Sequence, residues 1–356
     1  MKISILTFSK EINYGANLQC YALFKYLTEL GHNVNIIDIQ LNRYKYGIIY
    51  NLLTIYDRLL FKKFREEHLN AFTSKYNTVD ELIANPPKSD LYIVGSDQVW
   101  NPDITKRLNP YVYFFSFLPD GTRRIAYAAS FGTDKWENIE MIPKIKKLLE
   151  KFEAISVREQ EGVNICKETF NVNAVEVSDP TLLLTSYKAI YKDKDKVRNN
   201  NQLIYFKFIR NKECEKVIID FCKEKKLNPI YLSYKKPIKG FKFKPYASIK
   251  EWLNLIRNAK FIITDSFHCT VFCILFRRQF ITLPSIKGRS SRMTNLLTKL
   301  GILERYCSNT CNLSTNINIL YTKKIDYDEI QLKLENIRKE SKTFLNNILN
   351  KNNRLN

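Results

Sequence analysis

Residues 261–275 read FIITDSFHCTVFCIL: a β-branched and aromatic run that suits a strand, a polar break at Asp265-Ser266, then apolar residues at helical spacing. A strand that passes through a short polar turn into a helix is half of a βα unit. The same order recurs along the chain. ISILTF (3–8), NVNIID (33–38), LYIVGS (91–96), RIAYAAS (124–130) and AISVRE (154–159) are short apolar runs. The segments between them have the length of crossover helices, as in NLQCYALFKYLTELGH (17–32). Alternation of this kind predicts parallel βα units and a doubly wound sheet.

After SDPTLLL (178–184) the chain turns polar through KAIYKDKDKVRNNN (188–201), a charged run without apolar periodicity. The domain boundary is expected within about 185–201. A second βα series follows: QLIYFKFI (202–209), the helix CEKVIIDFCKEKK (214–226) and PIYLSY (229–234). Ser248 and Glu251 match the S-x-x-E capping box, which predicts a helix from there to about Asn258. The helix TNLLTKLG (294–301) should close at Gly301, and residues 326–349 have helical spacing with many charges. The expected fold class is α/β. Two doubly wound Rossmann-like domains occupy 1–190 and 200–325, with a C-terminal helix and tail over 326–356. That is the architecture of GT-B enzymes, whose active sites face the carboxyl ends of the strands between the domains.

Composition narrows the function. With 356 residues and 45% hydrophobic content, the chain can bury real cores and is not a disordered protein. No apolar run reaches the roughly 18–20 residues of a membrane span. The opening MKISILTFSK reads as a first strand without a cleavage site, so a cytoplasmic location is expected. Eight scattered cysteines read as free thiols. The spacings Cys269/Cys273 and Cys307/Cys311 lack a CxxC pair, so no metal is expected. The net charge is +21, of which +11 lies between Lys196 and Lys250, where fifteen basic residues face four acidic ones. Such a field attracts polyanions without choosing among nucleic acid, anionic lipid and phosphorylated substrate. A nucleic-acid module has only this charge in its favour, because no recognised binding motif interleaves the aromatics with Lys and Arg; no nucleic-acid partner is expected.

The candidate site residues stand at strand ends. Histidine occurs three times, and His268 falls in the first turn of the helix after FIITD, where backbone amides face outward and an imidazole could move a proton. A core or capping histidine is the alternative. His32 reads as a helix exit and His68 as a solvated helix face. Arg158 ends the strand AISV and offers a fork of donors for a carboxylate or phosphate, or else an ion pair with Glu159 or Glu161. Asn13, Tyr14, Gly15 and Asn17 lie between the first strand and first helix, where an anion or a sugar hydroxyl could sit, or where a tight turn alone is needed. Asp97, Gln98 and Trp100 follow the strand YIV. Asp97 could hold a hydroxyl or cap a helix, and Trp100 could stack on a sugar face. Asp179-Pro180 reads as a structural turn. The loop KGRSSR (287–292) brings Arg289 and Arg292 after the strand FITLP, as an anion clamp or a solvated loop.

NYGANLQCYAL (13–23), YIVGSDQVWN (92–101), AYAASFG (126–132), ISVRE (155–159), SDPTLLL (178–184) and TDSFHCTVF (264–272), in this order and spacing, resemble the polysaccharide pyruvyl transferase family. The resemblance runs from the first strand to about Gly301. It implies a GT-B-like fold, with an acceptor-side first domain and a donor-side second domain. It further implies transfer of pyruvate from phosphoenolpyruvate onto two hydroxyls of a sugar, giving a cyclic ketal and phosphate, in bacterial capsule or exopolysaccharide synthesis. By the resemblance His268 is the catalytic acid and Arg158 a phosphoenolpyruvate ligand. Many members carry arginine two residues before the histidine, where Ser266 stands here, and Arg289 or Arg292 is expected to supply that charge. No cofactor is implied beyond the donor. The acceptor would be a lipid-linked glycan or sugar, and YKKPIKGFKFKPY (234–246) could hold the protein at the anionic inner face of the plasma membrane. A GT-B glycosyltransferase using a nucleotide sugar shares the fold and is the alternative.

Overall fold

A computed structural model describes the chain except residues 41–53, 106–108, 192–200, 209–210, 234–235, 246, 286–289 and 351–356. It forms two compact units: Met1–Leu53, Arg65–Leu184 and Glu335–Asn356 make the first, Thr54–Phe64 and Thr185–Leu334 the second. The chain first leaves unit 1 for good length at Leu184, the end of SDPTLLL. The terminal helix Tyr327–Leu349 is not a separate third part. Its early residues Ile330 and Leu334 are buried in unit 2, and its later part belongs to unit 1. There Arg338 Nε donates to the Leu182 carbonyl at 2.8 Å, and Ser341 Oγ accepts from the Ser178 amide at 2.9 Å.

Unit 1 holds seven parallel strands: β1 (Lys2–Leu6), β2 (Asn33–Ile39), β3 (Phe72–Tyr76), β4 (Leu91–Val94), β5 (Arg124–Ala129), β6 (Ala154–Val157) and β7 (Val175–Glu176). Their spatial order is β3-β2-β1-β4-β5-β6-β7. Chain order reverses between β1 and β4, the topological switch of a doubly wound sheet. β4 and β5 are buried along their whole length, as strands covered on both faces must be. Leu6, Val94, Ala126, Val157 and the indole of Trp100 share one core.

Unit 2 repeats the scheme with β8 (Gln202–Phe206), β9 (Asn228–Leu232), β10 (Lys242–Lys244), β11 (Phe261–Thr264) and β12 (Phe280–Thr282), in the parallel order β10-β9-β8-β11-β12. Leu203, Tyr205, Ile263 and Ile281 pack here with the helix residues Ile218 and Phe221. Two local devices fix the elements that lead to the site. Ser248 and Glu251 form the reciprocal capping box, and the helix runs Ile249–Asn258 into β11. Gly301, at φ 73°, ends the helix Ser291–Leu300 in the left-handed conformation that glycine adopts without a Cβ penalty.

Candidate active site

In unit 2 the polar break Asp265-Ser266 converts β11 into the helix Phe267–Leu275. Ser266 is its N-cap: its hydroxyl accepts from the Cys269 amide at 3.3 Å, while its own amide donates to Thr264 Oγ1 at 3.0 Å. Asp265 Oδ1 accepts from the Phe208 amide at 2.9 Å, which ties the loop after β8 to the loop after β11. Thr270 and Thr282 hydroxyls meet at 3.2 Å and hold the helix to β12. The turn and its helix are therefore held by five short side chains, and His268 is the second residue of that helix. Its ring is nearly buried, edge-on to Phe267 with centroids 5.3 Å apart.

Arg292 lies over the other neighbour of that turn, its guanidinium carbon 5.9 Å from the Phe267 ring centroid. Asp265, Phe267, Ser285, Ser290, Arg292 and Tyr306 line a small open cleft beside the helix start. First-turn amides of a helix have no partner within it, and its dipole favours negative charge there. A guanidinium beside such a turn suits an anion with two acidic groups. Arg289 lies outside the described residues.

In unit 1 the carboxyl ends of β4, β5 and β6 carry a buried polar cluster. Arg158 Nη1 donates to Asp179 Oδ2 at 2.7 Å, with both side chains almost entirely withdrawn from solvent. The same carboxylate oxygen accepts from Ser96 Oγ at 3.0 Å. Glu159 approaches the Arg158 Nε at 3.8 Å and accepts from Ser130 Oγ at 2.7 Å. Burial by itself lowers the guanidinium's pKa, but the carboxylates of Asp179, Glu159 and Asp97 outweigh it and raise the value. Of the ion pairs the sequence suggested, the one with Glu159 is present at 3.8 Å, and a shorter one, with Asp179, joins it. Asp179 also accepts from the Thr181 amide at 3.0 Å, so it caps the turn at Pro180 as expected.

Asp97 stands at the rim of this cluster with a backbone φ of 79°, a left-handed conformation uncommon outside glycine. Its Oδ1 accepts from the Gln98 amide at 2.9 Å, and its side chain keeps 15% of its exposure. Gln98 is buried, its Oε1 accepting from Asn101 Nδ2 at 3.0 Å. Trp100 corrects the expectation of a sugar platform. Its indole is fully buried, stacked on Phe114 at 5.1 Å, and Nε1 donates to the Tyr113 carbonyl at 3.0 Å. No face of the ring is left for a ligand.

The glycine turn is likewise corrected. The first helix, Tyr14–Glu29, already includes Gly15, and Asn13 makes the turn as N-cap, its side chain accepting from the Ala16 amide at 3.1 Å. Tyr14, Gly15 and Asn17 are buried. Asn17 Nδ2 donates to the carbonyls of Glu11 and Asn13, both at 2.8 Å, and so braces the loop. Of these four, Asn13 alone keeps intermediate exposure. His68 packs edge-on against Tyr21 at 5.9 Å and so is less solvated than expected. All eight cysteines are free thiols, and Cys273, buried in the Phe267 helix, has its pKa pushed up chiefly by burial.

Sequence reasoning missed Ser96 as a partner of Arg158 and Ser130 as a partner of Glu159. Their signal was present, because GS, AS and RE each close an apolar strand, and adjacent parallel strands bring their carboxyl ends together.

Two doubly wound α/β units, each with polar residues gathered at the carboxyl ends of its strands, define an enzyme of the GT-B fold class. Solved structures share this fold. The Staphylococcus aureus MnaA–UDP structure superposes with a TM-score of 0.60 at 13% identity, covering 99% of this chain and 97% of that one. UDP-GlcNAc 2-epimerase from Neisseria meningitidis, bound to UDP-GlcNAc, gives 0.58 at 10% identity over 98% and 100%. The epimerase of Methanocaldococcus jannaschii gives 0.54 at 15% over 91% and 94%. At such identities the likeness is one of fold. No curated protein matches the chain. Residues 13–285 match the polysaccharide pyruvyl transferase family, and the chain belongs to that family.

Proposed function

We propose that the chain transfers pyruvate from phosphoenolpyruvate onto two hydroxyls of a sugar in a polysaccharide precursor, forming a cyclic ketal and releasing phosphate. The observation that carries this reading is the placement of His268 in the first turn after β11, one residue from the Phe267 ring that Arg292 covers. An acid stands beside an anion-binding helix start. Phosphoenolpyruvate needs that pairing, because its C2 becomes electrophilic only as the C3 methylene takes a proton.

In this reading Arg292, the Ser266 turn and Arg289 hold the donor's carboxylate and phosphate, and Arg292 supplies the charge that relatives place at the Ser266 position. His268 delivers the proton to C3. One sugar hydroxyl adds to C2, phosphate departs with the C2–O electron pair, and the second hydroxyl closes the ring. The two hydroxyl protons balance the one given to carbon and the one that leaves on phosphate. The acceptor is bound by unit 1, and of the residues the sequence singled out there, Asn13 and Asp97 retain exposed side-chain surface.

The acceptor is proposed to be a lipid-linked glycan. No helix among the described residues is long and apolar enough to cross a membrane. Attachment would then rest on the Lys-rich stretch 234–246, each basic residue near an anionic surface contributing about 1 kcal/mol. Equal pelleting with neutral and anionic vesicles would remove that element.

The test of the reaction is phosphate release from phosphoenolpyruvate in the presence of a panel of lipid-linked oligosaccharides. Release that requires both donor and acceptor is expected. Protection against heat by UDP- or GDP-sugars but not by phosphoenolpyruvate would favour glycosyl transfer instead.

A further inference from the structure

Unit 2 buries two hydrogen-bond donors, the Lys207 ammonium and the Tyr205 hydroxyl, that no described residue satisfies. We infer that these two side chains form a phosphate-binding pair at the carboxyl end of β8, and that the pair holds the phosphate of the donor; the second half of the inference rests on the pyruvyl-transfer reading above.

Lys207 is the first residue past β8 and keeps only 4% of its exposure. A buried ammonium is costly unless a counter-charge meets it. Among the described residues none does, since no carboxylate lies within 4 Å of its nitrogen and that nitrogen makes no hydrogen bond. Tyr205, two residues earlier, is fully buried, and its hydroxyl also lacks a hydrogen-bond partner. Burial pushes the phenol's pKa well above its ordinary value, so the hydroxyl keeps its proton and can donate. Residues two apart along a strand face the same side of the sheet.

That side is covered by the first turn of the helix Lys212–Glu224. Tyr205 packs in one cluster with Cys214, the third residue of the helix. Burial raises the pKa of the Cys214 thiol, and the Lys207 ammonium is the largest influence that opposes it. Both donors therefore reach the same helix start. Asn211 caps it, its side chain accepting from the Cys214 amide at 2.9 Å, and thirteen residues of helix direct their positive end here. Glu213 and Glu215 stand in this turn, but Glu213 is exposed, Glu215 has an interaction of its own, and neither pairs with Lys207. An ammonium, a phenol and a helix start together offer donors and positive charge, the requirements of an oxyanion.

The pair adjoins the His268 turn within the same unit. β8 and β11 are neighbouring parallel strands with Phe206 opposite Thr264, and the Phe208 amide donates to Asp265 Oδ1 at 2.9 Å. Lys207 and Asp265 leave these strands side by side, about 5 Å apart, and His268 follows three residues on. Arg292 lines its cleft with Ser285, which follows β12, the strand on the other side of β11. Phosphoenolpyruvate carries a carboxylate and a phosphate. The planar fork of Arg292 suits the first, and the compact point charge of Lys207 suits the second.

The experiment reads thermal protection by inorganic phosphate, pyruvate and phosphoenolpyruvate in the unaltered protein, Lys207→Met, Lys207→Arg and Tyr205→Phe. Removing an unpaired buried charge should raise the melting temperature of ligand-free Lys207→Met. Its affinity for phosphate and for phosphoenolpyruvate should fall about 10-fold or more, the range for a lost charged hydrogen bond. Lys207→Arg should recover part of that affinity. Tyr205→Phe keeps the packed ring and should weaken phosphate by about 2- to 10-fold. Pyruvate should protect no variant differently from the unaltered protein.

A lowered melting temperature in Lys207→Met with phosphate affinity intact would make the lysine structural and overturn the assignment. Unchanged phosphate affinity in Tyr205→Phe and Lys207→Met together, or protection by pyruvate that is lost with Lys207, would overturn it too. Phosphate binding through Lys207 in a protein that neither binds nor consumes phosphoenolpyruvate would leave the site standing and overturn the pyruvyl-transfer reading.

Discussion

Arg158 and Asp179 meet at 2.7 Å with neither side chain open to solvent, and the strand ends of the first unit are built around that pair. Removing one partner of a buried pair leaves the other charge without compensation. Asp179→Ala should cost about 3–5 kcal/mol of unfolding free energy, measured by urea denaturation. A loss below about 1 kcal/mol would mean that the pair is not a structural tie.

His268, in the first turn after β11, is assigned chemistry and not a structural tie. His268→Gln should lower kcat by about 100- to 10,000-fold, the range for general acid catalysis, with an unchanged melting temperature and donor affinity within a few-fold. Retained turnover would show that another group delivers the proton.

Gly132 tests how tightly the Asp97 loop is packed. Its φ is 68°, and a Cβ there would lie 2.2 Å from Gln98 Oε1. Gly132→Ala should destabilise by more than about 1 kcal/mol, because it combines backbone strain with a clash. It should also lower activity by shifting Gln98, the neighbour of Asp97. A fully stable, fully active variant would separate this loop from function.

Burial raises the pKa of the Asp57 carboxyl to about 6 from its ordinary 3.8. The folded state therefore holds its proton more tightly between those values. This group's contribution is complete below the unfolded pKa and is lost as pH rises through about 6. Asp57→Asn should raise stability at pH 7.5 and change it little at pH 4, read from melts at the two values. An equal effect at both would contradict the assignment.

The central strands were legible because buried parallel strands read as short runs of Ile, Val and aromatics. The strands that escaped are β3, β7 and β10, each at the edge of its sheet. FTSKY, VE and KFK are polar or short because an edge strand is covered on fewer sides, so they carry no apolar run to read. The capping box at Ser248 and the glycine stop at Gly301 were legible because they are local. Trp100 was not, because the polar GSDQ before it gave no sign that its ring would turn inward onto Phe114. Nor does sequence tell that the carboxylate partner of Arg158 stands twenty-one residues on, at Asp179.

The account depends most on the proposed chemistry, and mass spectrometry of the acceptor tests it most directly. A lipid-linked oligosaccharide incubated with phosphoenolpyruvate and this protein should gain the mass of one pyruvic acid less water, and none with His268→Gln. An acceptor whose mass never changes across the panel, or one that gains a hexose from a nucleotide sugar, would contradict it.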